Sequence, residues 1–203
     1  MNKDSLYTLI PIETFKSFMG VDDRDDKIVR FCLVTSSLTI EQYCMRKFLR
    51  KKYFECIEYN GDLILPLKEY PVKNILAAYS INCEQLRMNN GELIEPEFYR
   101  VIPDCGTEID LPCAIELSPA LQRYRGLAAI KVIYWAGYKP YEIPADLSAA
   151  CMELASWNFN RYKGRRVGMS GNIRGSGKDG EHFEMSMPEN VKALLEPYRR
   201  KVI

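Results

Sequence analysis

Apolar residues recur along this chain with a helical period towards both ends and a strand period between them. From Asp22, the run DDRDDKIVRFCLVTSSLTIEQYCMRKFL sets Val29, Leu33, Ser37, Ile40, Cys44 and Phe48 three or four residues apart, with Ile28, Phe31, Thr35 and Leu38 in a second stripe beside them. That spacing predicts one long helix buried on a wide face. Asp22, Asp23, Asp25 and Asp26 suit its first turn, where side-chain oxygens cap free amides and negative charge complements the dipole; Arg46, Lys47 and Arg50 suit its last. A shorter helix over Ile12 to Met19 precedes it, with Gly20 placed to end it.

From Lys52 to Tyr138 the period is two, with β-branched and aromatic residues between turn signals. FECIEY, Asn60-Gly61 and DLILP read as a tight hairpin, because Asn-Gly readily takes the positive φ angles of a type I′ turn. Asn90-Gly91 offers a second such turn. YPVKNILAAYSI is a strand with Pro71 at its start or on an edge, AIEL is another, and LAAIKVIYWAGY is apolar enough to lie centrally in a sheet. Helix returns with Pro144 at the first helical position and runs through ADLSAACMELASWNFNRY, with Leu147, Ala150, Cys151, Leu154 and Trp157 or Asn158 on one face and Gly164 as its stop. Between Gly164 and Gly180 lie six glycines and four cations against one aspartate, a basic loop. Ser186-Met187-Pro188-Glu189 then has capping-box spacing, and Val191, Leu194, Leu195 and Tyr198 form the stripe of a short closing helix that Pro197 is placed to kink.

The expected fold is α+β: a helical bundle of two long helices plus terminal helices, packed with a mostly antiparallel β-sheet from the middle of the chain. Residues 1–203 are read as a single domain, with N-terminal helices in 1–50, a β-rich middle in 51–140, a helix in 141–163, the basic loop in 164–187 and the closing helix in 188–203. Leu33, Ile40, Leu154 and Ile133 are expected in the core.

Composition narrows the function. With 47% hydrophobic residues the chain can bury a core, and 28 cations against 27 acids leave no chain-wide footprint for nucleic acid or an anionic membrane. No apolar run approaches the roughly 18 residues that span a bilayer, and the opening residues lack a secretory pattern, so a soluble, unsecreted protein is expected. The seven cysteines are odd in number and never in a CxxC pair, which favours buried free thiols over a disulfide framework or a zinc site. His182 is the only histidine, so neither a His-based metal site nor a nucleophile with a histidine base is available. GSGKD fails the phosphate-loop pattern at Asn172 and Asp179, and DDRDDK lacks the central glycine and distal glutamate of a calcium loop. No metal, nucleotide or organic cofactor is expected.

The order of segments carries more than any one motif. The acidic turn before a long helix ending in EQYCMRKF, the passage LILPLKEYPVKNI, the strand KVIYWAGY, the helix IPADLSAACMELASWNFNR and the closing LLEPYRR together resemble the head-tail connector (head-completion, adaptor) proteins of tailed bacteriophages and prophages. The passage from Val132 to Arg161 is the most specific. The segment from Asn82 to Leu121 and the loop from Tyr162 to Met185 are longer than in that family. The resemblance implies a non-enzymatic virion protein of the head-tail junction, made in the host bacterial cytoplasm. It implies a ring of about a dozen copies related by head-to-tail contacts, docked on the portal protein after DNA packaging and offering a platform to a tail-side stopper or completion protein.

Candidate contacts with neighbouring subunits or partners are Arg161, Lys163, Arg165, Arg166 and Arg174 of the basic segment and Val191, Leu194, Leu195 and Tyr198 of the closing helix. Packing on its own domain is the alternative fate of that helix. The basic segment also permits nonspecific proximity to packaged DNA. The rival readings are a nucleic-acid-binding protein using those cations, whose affinity would fall steeply with salt, and a hydrolase with a carboxylate pair.

Overall fold

The computed structural model describes residues 7–82, 91–103, 111–123, 127–164 and 187–200. Over these the chain is α+β and divides into two compact units, one running through Met45 and from Glu142 to Arg199, the other from Arg46 to Tyr141.

The first unit is helical. Its elements are α1 (Ile12–Met19), a 3-10 turn (Asp23–Asp25), α2 (Asp26–Cys44), α3 (Ala145–Lys163), and α4 (Glu189–Leu195) continued by a 3-10 turn (Glu196–Tyr198). Gly20 ends α1 in the left-handed region at φ +61°, a conformation that costs glycine little. The α2 stripe Val29, Cys32, Leu33, Ile40 and Cys44 is buried, as are Leu147, Ala150, Cys151, Leu154, Ala155 and Phe159 on α3. Two serines at this helix pair are buried and satisfied. Ser37 Oγ donates to the Leu33 carbonyl at 2.7 Å and accepts from the Leu9 amide at 3.0 Å, while Asn158 Nδ2 donates to Ser36 Oγ at 3.0 Å.

Three local expectations change here. First, α2 stops at Cys44, not near Leu49, because Met45 turns into the left-handed region at φ 54° and donates its amide to the Glu41 and Gln42 carbonyls. Arg46 therefore neutralises no helix end. It is buried, its guanidinium carbon lies 3.3 Å from the centre of the Tyr70 ring, and it donates to the Tyr70 carbonyl. Second, the aspartates make no side-chain cap at α2; they hold cations instead. Lys16 pairs with Asp23 and, at 2.8 Å, with Asp26, and Lys163 pairs with Asp25 at 2.6 Å. The hydrogen bonds to Asp23 and Asp26 hold the Lys16 ammonium above its ordinary pKa. Third, Pro144 and Pro188 stand immediately before α3 and α4, not inside them. Ser186, the proposed start of the capping box, lies outside the described residues.

The second unit is built from β1 (Lys51–Glu58), β2 (Ile64–Pro66), β3 (Val72–Asn82), β4 (Glu92–Ile94), β5 (Tyr99–Ile102), β6 (Ala114–Leu117) and β7 (Leu127–Ala136). They form two antiparallel sheets, one in the order β1-β7-β3-β4 and the other β2-β6-β5. The most apolar strand, β7, is central as its composition predicts. The core of the unit joins Leu65, Ile115 and Leu117 of the smaller sheet with Ala78, Ile94, Ile130, Val132 and Tyr134 of the larger.

The expected hairpin is absent, since β1 pairs with β7 and β2 with β6. Asn60-Gly61 makes no type I′ turn, since only Gly61 takes a positive φ, +96°, and the bend there carries the chain from one sheet into the other. Gly137 has a stricter role. At φ +93° it lets the Phe48 carbonyl come within 2.7 Å of where a Cβ would stand, and Tyr138 donates to that carbonyl at 2.7 Å while Arg50 donates to the Tyr138 carbonyl at 2.8 Å. These bonds take the segment after Met45 out of the helix. Ile133, expected in the core, is only partly buried, because strand alternation turns Ile130, Val132 and Tyr134 inward and leaves Ile133 on the opposite face.

Candidate interaction surfaces

Among the described residues no group of histidine, cysteine or acidic side chains is placed to hold a metal ion, and no helix is long and apolar enough to cross a membrane. A hollow of about 260 Å³ beside β5 and β6 is lined by Glu97, Phe98, Tyr99, Arg100, Glu116 and Ser118 among others. Glu116 accepts from Arg100 Nε, so its two carboxylates do not form a bare acid-base pair. His182, Arg165, Arg166 and Arg174 lie outside the described residues.

The thiols are built for packing. Cys32, Cys44 and Cys151 are buried thiols outside any disulfide, as expected, whereas Cys56 is exposed and Cys113 is disulfide-bonded, against the expectation of a thiol there. Burial pushes the Cys32 thiol up to about 11 and Cys151 up to about 12. At about pH 8, iodoacetamide is therefore expected to label Cys56 in the folded protein and Cys32, Cys44 and Cys151 only after unfolding, a pattern read by peptide mass spectrometry. An unfolded thiol ionises near 9.0. The stability that burial gives is thus intact below that pH and is lost as pH rises through about 11 and about 12.

Of the residues singled out as contacts, Arg161 lies 4.5 Å from the centre of the Trp157 ring, one turn back on α3, and Lys163 is ion-paired with Asp25. Both are thus held by their own unit. The closing stripe is divided: Val191, Leu195 and Tyr198 are buried in the helical unit, and Leu194 is partly buried. Tyr198 donates its hydroxyl to Asp146 at 2.6 Å, Asn190 donates to Glu153, and Tyr43 donates to Glu196 at 3.3 Å. Burial raises the Tyr43 pKa, and the Glu196 carboxylate adds to the rise.

Two apolar surfaces were not singled out in the sequence. On α2, the second stripe is not buried as expected: Phe31 and Leu38 are exposed, as is Met45 just beyond the helix. The Phe31 ring meets the Tyr162 ring of α3 edge-on, with 5.2 Å between centres, and stays 49% exposed. Thr35 Oγ1 donates back to the Phe31 carbonyl at 2.8 Å, and Thr39 Oγ1 to that of Thr35 at 2.8 Å, so their hydroxyls are satisfied within the helix. The other surface is the outer face of the four-stranded sheet. There Phe54 pairs with Ile133 across β1 and β7, and Tyr79 with Leu93 across β3 and β4. Phe54 is 64% exposed, Leu93 55% and Leu76 45%. Its inner counterpart on β1 is Glu55, a buried carboxylate that accepts from the Tyr134 hydroxyl at 2.9 Å and the Lys68 amide at 3.1 Å. The outer face had one legible signal: β7 is apolar at both parities, which a strand covered on one side does not need.

One helical unit and one two-sheet β unit define an α+β protein. Known structures share this fold. One is the neck of an empty GTA particle computed with C6 symmetry, at 16% sequence identity and a TM-score of 0.59. A second is the virion of a native gene transfer agent particle, at 17% and 0.58. A third is the neck of a native GTA particle computed with C12 symmetry, at 16% and 0.55. Each comparison covers 96% of this chain and 91% of the other. No family model matches the chain, and no curated protein matches it in sequence.

Proposed function

We propose that this chain is a structural protein of the head-tail junction of a phage-like particle. It forms a ring that docks on the portal protein after DNA packaging and gives a tail-side stopper or completion protein its platform. The observation that carries this reading is the near end-to-end likeness of the fold, over 96% of this chain, to chains from particles described as a neck. The segment order that resembles connector proteins supports it independently, through residues from Asp22 to Arg200. In this reading the protein acts by contact and without a cofactor. The basic residues Arg161, Lys163, Arg165, Arg166 and Arg174, with Leu194 of the closing helix, lie beside neighbouring subunits or partners.

The test uses the full chain and DNA-filled, tailless heads that carry the portal vertex. Electron microscopy is expected to show added protein at the portal and recovery of tail joining. Heads that neither bind the protein nor gain tails from it overturn the reading. Binding to free DNA that falls steeply with salt, without binding to heads, replaces it with the nucleic-acid reading.

A further inference from the structure

The strand order β1-β7-β3-β4 puts two differently charged strands at the edges of the larger sheet. At the β1 edge, Lys51 and Lys52 are exposed at the start of the strand and Arg50 precedes them half-buried, while Glu58 is exposed at its far end. At β4 and in the 3-10 turn that follows it the chain reads GELIEPEF from Gly91 to Phe98: Glu92, Glu95 and Glu97 are all exposed and no cation lies among them. None of Lys51, Lys52, Glu92, Glu95 and Glu97 is ion-paired among the described residues. Each edge also carries an exposed apolar side chain on the same outer face, Phe54 on β1 and Leu93 on β4. Lys52 Nζ lies 5.1 Å from the centre of the Phe54 ring, which keeps charge and apolar surface together at the basic edge.

We infer that the occupant of each edge is a second copy of this chain, with Lys51, Lys52 and Phe54 of one copy docked on Glu92, Leu93, Glu95 and Glu97 of the next. This rests on the ring reading above and names its contact. Charge complementarity decides the geometry. A two-fold dimer through β4 sets glutamates on glutamates, and one through β1 offers the lysines of each copy only the single exposed acid Glu58. A head-to-tail contact sets lysines on glutamates and leaves both outer edges open for the next copy, the arrangement that closes rings. Exposed ion pairs add little affinity singly, so their part is to select the partner edge and speed encounter, while Phe54 and Leu93 supply apolar burial.

The experiment is sedimentation and native mass spectrometry of the full chain, from micromolar to several hundred micromolar, at low and high salt. Self-association is expected and weakens with salt. Lys51→Glu with Lys52→Glu, and separately Glu92→Lys with Glu95→Lys, raise the dissociation constant by about tenfold or more. Placing all four changes in one chain restores association, because the charges are exchanged and not lost. Circular dichroism checks that each variant is folded. A wild type monomeric throughout, association indifferent to salt and to single-edge reversal, or a four-fold variant that stays dissociated overturns the inference. Binding to portal-bearing heads is read separately. Wild-type binding that single-edge reversal leaves unchanged sinks this contact alone, whereas failure of the wild type to bind sinks the connector reading.

Discussion

Cutting the chain after Met187 is expected to unfold the helical unit. The closing helix is short, and α4 with its 3-10 turn is below the length at which a helix is stable alone in water. Its side chains are nevertheless fully used: Val191, Leu195 and Tyr198 are at most 3% exposed. Cys44 Sγ reaches the Leu195 carbonyl at 3.9 Å, and Tyr198 is tied to Asp146 on α3. Each buried apolar side chain of this size contributes about 1.5–3 kcal/mol. Losing three of them, and uncovering their partners, rivals the roughly 5–15 kcal/mol that holds a whole domain folded. The measurement is thermal unfolding followed by circular dichroism. A truncated chain that keeps its helicity and its midpoint refutes the assignment of α4 to this core and returns the closing helix to contacts with a neighbour alone.

The second large effect separates two residues three positions apart on β7. Ile130→Ala is expected to cost about 2–5 kcal/mol, because Ile130 is fully buried between the two sheets and its truncation leaves a cavity. Ile133→Ala is expected to cost less than about half as much, since Ile133 lies partly exposed on the outer face opposite Phe54. Chemical denaturation of both variants measures the difference. Equal costs would mean that the outer face is covered within the single chain, and would remove the surface on which the edge contact depends.

Those two residues also mark what could be read in advance. The 3.6-residue period located α1, α2 and α3 and placed Leu33, Ile40 and Leu154 in the core, because helical burial depends on neighbours along the same helix. The parity of Ile133 had a single sign, Lys131 two residues before it on the same face, set against apolar residues at both parities of the rest of the strand. The hairpin failed for a related reason. Asn60-Gly61 marks a bend but not the strand that follows it, and β1 found its partner over seventy residues away in β7. The end of α2 is set by bonds between Phe48, Arg50 and Tyr138, again far apart in sequence. The two charged edges depend wholly on strand order. Lys51 and Glu95 become opposite ends of one surface only after β7 and β3 are inserted between them.

Glu55 bears on how such copies stay apart before they meet. It sits on an eight-residue strand at the end of its sheet, where unpaired amides and carbonyls invite any extended chain to add itself. The side chain points into the unit, and its carboxylate is matched to Tyr134 and Lys68. An added strand would lay a side chain against that carboxylate and strip its remaining water, while Lys51 and Lys52 repel an identical strand approaching in parallel. The border is thus barred to backbone zipping yet open to side-chain contact. Growth by sheet extension has no natural stopping point and ends in fibre; growth by side-chain contact can be reversed, corrected and closed.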